Sequence, residues 1–390
     1  MIVKDTLLAI GLMSGTSADG IDAALVTVER APRRVTLRHY LELPMPSPLR
    51  ARILAAANGT SDSRDQCLLG AALGEAFGSA ARSLCGAAGV SAEQVDVVGS
   101  HGQTVWHAPE ATPPATLQIG NPAQIAAICR IPVVADFRSA DLAQGGQGAP
   151  LTPRLHHLLL AHPQRDRAVV NIGGIANMSW LPGGRGTESV VSFDTGPGNM
   201  VIDAVTAHQT GGVELCDRGG ERAARGKVQP MLLDDLLRHP FFTMAPPKSS
   251  GREMFGANYV RELFDRAEKY GVQGDDLVST VTAMTAQTIA RAVEGQSARA
   301  EVLVCGGGAR NATLMGMLEA ALPKARVASV ETCGVASDSM EAVAFAELAC
   351  CYLWGESANI PAVTGARQAV VLGSLTPAPG RAGFPGMVLP

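Results

Sequence analysis

Short apolar, β-branched runs recur along the chain at residues 6–13, 21–29, 35–43, 96–99, 131–135, 167–172, 189–193 and 301–305. Each is bounded by Gly, Pro or Asp, the punctuation expected of strands. Turn-length gaps separate the first three, which predicts an antiparallel meander. Elsewhere the apolar period lengthens. Residues 66–86 place Leu69, Leu73, Phe77, Ala80 and Leu84 three or four apart, and residues 276–293 do the same with Leu277, Val281, Met284 and Thr288. Both predict helices, the second capped by Asp275 or Asp276. A third helix is expected after Asn311, and a fourth from Met340 to Trp354 behind Asp338 or Ser339. The order strand-strand-strand-helix-strand-helix occurs once before and once after about residue 160. The pattern therefore predicts a duplicated α/β unit, with a cleft between two lobes.

Composition narrows the class. With 390 residues, 46% of them apolar, the chain can bury large cores without disulfide or metal staples. Lys plus Arg number 32 against 36 Asp plus Glu, without runs of either sign. No clustered basic face is visible, so a nucleic-acid partner is not expected. The eight cysteines lack CxxC spacing and read as reduced thiols. The first residues, MIVKDTLLAIGLMSG, hold an apolar run too short and Gly-broken for a signal peptide. No stretch approaches ~18 uninterrupted apolar residues, so no membrane span is expected and the location reads as cytoplasmic. Gly is enriched, 43 of 390, and clusters beside the apolar runs. Those clusters are where ligand chemistry is sought.

GLMSGTSADGID (11–22) joins two predicted strands and offers backbone N–H groups with the hydroxyls of Ser14, Thr16 and Ser17, a nest suited to phosphate oxygens; a plain Gly-rich hairpin turn is the alternative. NIGGIANMS (171–179) places a second such turn at the equivalent point of the second half. In SFDTGPGNMVIDA (192–204) the strand ends on Asp194, where a carboxylate points into the crevice that binds ligands in α/β folds. Asp194 is then either a general base or a cap for the helix that follows. VLVCGGGARN (302–311) is a strand, three glycines and a capped helix, fit to lie against a flat ring or simply to turn. Walker, dinucleotide and nucleophile-elbow signatures are missing. Arg138 and Lys248 could meet anionic groups, Arg138 pairing alternatively with Asp136 or Asp141. His101 and His107 lack a third ligand for zinc, and His156 and His157 read as structural.

In this order the clusters resemble the anhydro-N-acetylmuramic acid kinase family, within the actin, hexokinase and heat-shock-chaperone ATPase superfamily. The matching stretches are GLMSGTSADGIDAAL, SHGQTVWHAP, QIGNPAQIA, VVADFRSADLAQGGQGAPLTP, NIGGIANMSWLP, FDTGPGN, PPKSSGREMF, VCGGGARN and SDSMEAVAFAELA, from residue 11 to about 349. The resemblance implies two ribonuclease-H-like lobes with mixed sheets flanked by helices and a nucleotide cleft between them. Residues 1–155 with about 340–390 would form the first lobe, residues 156–339 the second, with a hinge near 150–165. It assigns ATP to Ser14, Gly15, Thr16, Ser17, Ala18, Asp19, Gly20 and Ile21, to Gly173 and Gly174, and to Gly306, Gly307 and Gly308. Asp194 takes the catalytic position, and Thr104, Arg138 and Glu341 the sugar site. A homodimer and magnesium are implied as well. The superfamily's usual acid at the start of the first loop is absent from Leu12-Met13-Ser14-Gly15-Thr16, so the ion would be held by ATP and water, or by Asp19 or Asp22.

The implied reaction opens the 1,6-anhydro ring of the amino sugar and phosphorylates the freed 6-oxygen, during cell-wall recycling. A kinase acting directly on another sugar hydroxyl, and a nucleotide-gated binding protein, are the competing expectations.

Overall fold

The computed structural model describes residues 2–380 and 387–388, and much of the Pro-rich tail after residue 375 lies outside the described residues. The chain divides into two compact units, one of residues up to 159 with those from 338 onward, the other of residues 160–337.

The first unit opens with β1 (Thr6–Ser14), β2 (Gly20–Glu29) and β3 (Arg34–Pro44), the expected antiparallel meander. Helix α1 (Ser63–Ala88) starts where the Asp62 carboxylate accepts from the Asp65 N–H, and buries Leu69, Leu73, Phe77 and Leu84. Then β4 (Val97–Ala108) runs parallel to β1, β5 (Ala115–Ile119) folds back on β4, α2 (Pro122–Cys129) follows the Asn121 cap, and β6 (Val133–Ala135) lies parallel to β4. Apart from β5 and a C-terminal strand added at the β6 edge, the sheet order is β3-β2-β1-β4-β6.

The second unit repeats that order. β7 (Arg167–Ile172), β8 (Ile175–Leu181) and β9 (Val191–Pro197) form another antiparallel meander. After α3 (Asn199–Gln209) and the long buried α4 (Gly274–Glu294), β10 (Glu301–Cys305) runs parallel to β7. Helix α5 (Ala312–Ala321), capped by the Asn311 side chain, leads to β11 (Arg326–Ser329), and the sheet reads β9-β8-β7-β10-β11. Two mixed sheets flanked by helices are thus present, of seven and five strands, and each contains a three-stranded antiparallel meander extended by two parallel strands.

Helix α6 (Met340–Trp354) and β12 (Ser374–Thr376) return to the first unit, β12 pairing with β6. Ser339 stands at the N-cap position of α6. The helix lies with its backbone almost on the sheet because Gly11 and Gly99 face each other across β1 and β4. A Cβ on Gly11 would sit 1.7 Å from the Ala342 carbonyl oxygen, and one on Gly99 2.0 Å from that of Phe345. Glu347, 1% exposed in the middle of α6, is balanced by Arg154 at 3.1 Å and Arg33 at 3.6 Å.

Some local expectations change. Neither Asp275 nor Asp276 caps α4, whose N-cap residue is Gln273. Asp275 instead pairs with Arg222 and Arg225, and Asp276 accepts from the Lys227 N–H and the Gln229 amide. Partners distant in sequence outcompeted the local role. The segment expected at 189–193 starts at Val191 and continues through Asp194 to Pro197, and β8 occupies residues read as a polar turn. All eight cysteines are free, and among the described residues no helix is long and apolar enough to cross a membrane.

The α6 seat gives a direct test. Gly99→Ala places a methyl inside the Phe345 main chain and is expected to cost about 3 kcal/mol or more, the upper range of overpacking. Gly86→Ala, near the end of α1 with nothing within 4 Å of the added carbon, should stabilise by up to ~1 kcal/mol. Urea denaturation midpoints of the two variants check the contrast.

Candidate active site

In the first unit, residues 15–19 link β1 to β2. The Ser14 hydroxyl, 1% exposed, lies 2.8 Å from both the Gly20 carbonyl and the Gln103 side-chain oxygen, while the Gln103 amide donates to the Gly15 carbonyl at 3.1 Å. Ser14 therefore ties the loop to β4. Ala18, in the left-handed region at φ 51°, and Ile21 are buried in the core, and Gly20 is packed beneath β3. Gly15, Thr16, Ser17 and Asp19 are what the loop presents outward, with the Ser17 hydroxyl donating to Asp19 at 2.8 Å. Behind them Asp22 accepts from the Tyr40 hydroxyl. Burial pushes the Asp22 carboxyl up to about 6; the Tyr40 bond opposes the shift, and Glu42, Asp19 and Asp338 add to it.

Arg138 does not pair with Asp136 or Asp141. Asp136 accepts from Ser139, and fully buried Asp141 accepts from the Gly148 N–H, Asn359 and Thr364. The guanidinium instead donates to His101 Nε2, from Nε at 3.1 Å and Nη2 at 2.9 Å, and to the Gly148 carbonyl at 3.2 Å. His101 Nδ1 is 3.0 Å from the Gly102 carbonyl, which can only accept, so Nδ1 carries the proton and Nε2 the lone pair. Burial, and then the Arg138 charge, hold this imidazole well below its ordinary range. Burial likewise lowers Arg138 to about 10, with Glu341 opposing. Glu341 sits in the first turn of α6, its carboxyl raised by burial and by Asp22 and lowered by Arg138. Thr104 accepts from the Gln118 amide, which also donates to Thr116, itself 2.9 Å from His107. The SHGQTVWHAP stretch holds His101 and Gln103, but sequence reasoning gave neither them nor Gln118 a role, because those roles depend on a neighbouring strand or loop.

In the second unit, β7 and β10 are parallel neighbours with Asn171 opposite Cys305. The turns that follow them, Gly173-Gly174 and Gly306–Gly308, thus leave the sheet side by side, at the strand ends where α/β folds bind ligands. The Gly173 and Gly174 carbonyls accept from the N–H groups of Gly198, Asn199 and Met200, clamping the turn onto the start of α3. Asn199 also donates to the Ile172 carbonyl, and the Gly306 N–H to Ser337. Gly306, at φ 78°, and Gly308 are required by the fold, since a Cβ on either would come within 2.3 Å of its neighbours. Gly173, Gly174, Gly307 and, in the first unit, Gly15 are different. None has positive φ, and an added Cβ would meet nothing closer than 3.4 Å. These four leave open space over the main chain, room for a ligand's phosphates or ring that a side chain would fill.

Asp194 does not cap α3. It lies in β9 opposite Asn177, just before a bulge, and Gly198 holds the N-cap position. Bulges re-aim side chains. Main-chain bonds to one loop hold it: its N–H donates to the Lys248 carbonyl at 3.0 Å, and its Oδ2 accepts from the Ser250 N–H at 2.7 Å. Burial pushes its carboxyl up to about 6, against the Ser250 bonds and the Lys248 charge. The Lys248 ammonium donates to the Phe241 carbonyl and stands 4.7 Å over the Phe241 ring. Among the described residues no three His, Cys, Asp or Glu side chains are grouped to hold a metal ion. The mutual repulsion around Asp22 fits a cation that arrives with phosphate groups and keeps most of its ligands from them and from water.

A model of the family described as anhydro-N-acetylmuramic acid kinase matches residues 7–378. The anhydro-N-acetylmuramic acid kinase of Caldanaerobacter subterraneus subsp. tengcongensis is 43% identical over 386 residues, covering 96% of this chain and 98% of that one. Among solved structures, the activator of the 2-hydroxyisocaproyl-CoA dehydratase from Clostridium difficile with bound ADPNP is 13% identical, covers 87% of this chain and 95% of its own, and has a TM-score of 0.41. A ROK family glucokinase from Streptomyces griseus in complex with glucose and AMPPNP is 13% identical, with 87% and 98% covered and a TM-score of 0.36.

The raised Asp194 pKa has a definite consequence for stability. Its protonated form is favoured in the folded protein, so this group's contribution is present below pH 3.8 and is lost as pH rises through about 6. Asp194→Asn removes that loss. The variant should match the parent near pH 4 and exceed it above pH 7 by at most about 3 kcal/mol, from ~1.4 kcal/mol per pKa unit. Thermal midpoints across pH 4–8 check the sign.

Proposed function

The chain belongs to the anhydro-N-acetylmuramic acid kinase family, ATP-using kinases that act on an amino sugar in peptidoglycan recycling, and on that premise we propose how its residues divide the work. ATP phosphates meet the main chain of Gly15, Thr16, Ser17 and Asp19 in the first unit and of Gly173 and Gly174 in the second, and adenosine meets Gly306–Gly308. Ser14, Ala18, Gly20 and Ile21 support the first loop from beneath. Thr104, Arg138 and Glu341 receive the sugar, Arg138 its lactyl carboxylate. The observation that carries this reading is the open space over Gly15, Gly173, Gly174 and Gly307, which the fold itself does not require.

Asp194 is the general base. It takes a proton from water as the water oxygen bonds to the anomeric carbon and the bond from that carbon to O6 breaks. The freed O6 attacks the γ-phosphorus, and the bond to ADP breaks. An ordinary glycosidase needs a second carboxyl group to protonate the departing oxygen. Here phosphorus captures that oxygen, so one carboxylate suffices. Asp194 Oδ2 is held by Ser250, and burial keeps proton affinity high enough to accept at neutral pH. Magnesium, when bound, neutralises charge on the phosphoryl oxygens, with Asp19 or Asp22 sharing in holding it. A cytoplasmic homodimer belongs to the same proposal.

Turnover of 1,6-anhydro-N-acetylmuramic acid with ATP in oxygen-18 water tests the chemistry. One heavy oxygen at the anomeric carbon of the phosphorylated product is expected. Its absence at early times, before the anomeric oxygen exchanges, would mean direct phosphorylation of a hydroxyl. The kcat/KM should rise through about pH 6, and Asp194→Asn should lower turnover ~10²–10⁴-fold while ATP still binds. For the nucleotide, Gly174→Ala and Gly307→Ala should leave the thermal midpoint unchanged or slightly raised, and raise the KM for ATP about tenfold or more, a loss of ~1.4 kcal/mol of binding. An unchanged KM in both would remove the turns from the ATP site.

A further inference from the structure

Arg138 is a partly buried cation whose protein partners are both neutral, the imidazole of His101 and the Gly148 carbonyl. Among the described residues no carboxylate lies within ion-pairing distance of it; Glu341 acts on it only at longer range. A guanidinium has five N–H donors. Nε and one N–H of Nη2 are directed at His101, and one N–H of Nη1 at Gly148. One N–H remains on each Nη nitrogen, so two donors are left for a carboxylate.

His101 is fixed on its other sides. Its Nδ1–H is taken by the Gly102 carbonyl, and its ring lies 4.6 Å from that of Phe345, centroid to centroid. Gly102 itself is at φ 72°, where a Cβ would be 2.7 Å from the Ile119 carbonyl oxygen, so the strand cannot shift to re-aim the ring. The outer face of the imidazole can then only accept.

From this geometry we infer that His101 is a positioning residue for the sugar's carboxylate: its Nε2 lone pair locks Arg138 so that the free pair of N–H donors faces outward, and so confers preference for an acceptor bearing a carboxylate. The inference rests on the reading that Arg138 receives the lactyl group. A neutral acceptor suits this task better than an aspartate would. It orients the cation without cancelling the charge the substrate is to meet, and an acidic partner at the same place would compete for the fork.

The test compares steady-state kinetics on 1,6-anhydro-N-acetylmuramic acid and on 1,6-anhydro-N-acetylglucosamine, the same sugar without the lactyl carboxylate. The parent enzyme should prefer the acid. His101→Phe keeps a ring against Phe345 and deletes the acceptor. It should raise the KM for the acid roughly 10- to 100-fold, the range of a charge-assisted hydrogen bond, with little change in kcat and no change in KM for the neutral sugar. His101→Gln, which restores an accepting oxygen, should recover most of the preference, and it carries the test if the Phe variant does not fold. Adding His101→Phe to Arg138→Met should cost nothing further. Equal loss of kcat on both sugars in His101→Phe overturns the positioning role. If Arg138→Met abolishes the preference and His101→Phe keeps it, only the role of His101 fails. If Arg138→Met leaves the preference intact, the carboxylate reading of Arg138 fails instead.

Discussion

Two facing glycines decide how close a helix can come to a sheet. Gly11 and Gly99 meet in register on β1 and β4, and α6 fills the space that side chains would take, backbone against backbone. Because the helix comes this near, it is buried almost all round and needs the Arg154 and Arg33 charges against Glu347. From the same seat its first turns deliver Glu341 and the Phe345 ring. Phe345 holds His101, and His101 holds Arg138. The polar geometry of the first unit thus depends on a contact that contains no polar side chain.

Each unit carries a charged candidate site group that its surroundings leave unbalanced, and the two are built differently. Arg138 keeps its charge but has only neutral partners, which suits recognition of an anion. Asp194 has hydrogen-bond donors but lies where ionisation is costly, which suits a group that must take up a proton. Exchanging the devices would defeat both, since an anion-paired Arg138 could not grip a second carboxylate and a freely ionised Asp194 would be a weak base.

Elements specified by neighbours in sequence were legible from it. β1 to β3 show closely spaced apolar runs separated by turn-length gaps, and Asn311 caps α5 three residues before the N–H it accepts from. β8 was hidden because Asn177 and Ser179 interrupt its apolar residues, and its pairing with β7 and β9 supplies what its composition lacks. Asp275 offered the same local signal as Asn311, yet Arg222 and Arg225 take it, and nothing near residue 275 announces them. At the candidate site, Asp194 and Arg138 are singled out by their motifs and the family resemblance. What each bonds to could not be read that way, because Ser250, Lys248, His101 and Gly148 are brought to them only by the folded chain. The inward turn of Ser14 is of the same kind: its hydroxyl looked available and is committed to Gln103 and Gly20.

Gly15, Gly173, Gly174 and Gly307 have no positive φ, and nothing crowds them. A glycine at such a position widens the ensemble of the unfolded chain, and relative to alanine this weakens folding by about 0.4–1 kcal/mol each. Four of them amount to roughly 2–4 kcal/mol, a sizeable part of a typical domain's margin of stability. The handicap exists before any ligand arrives and is borne by the disordered chain, whose extra freedom must be surrendered at each folding event. In this protein, room for a ligand in the folded state is secured through conformational entropy in the unfolded one.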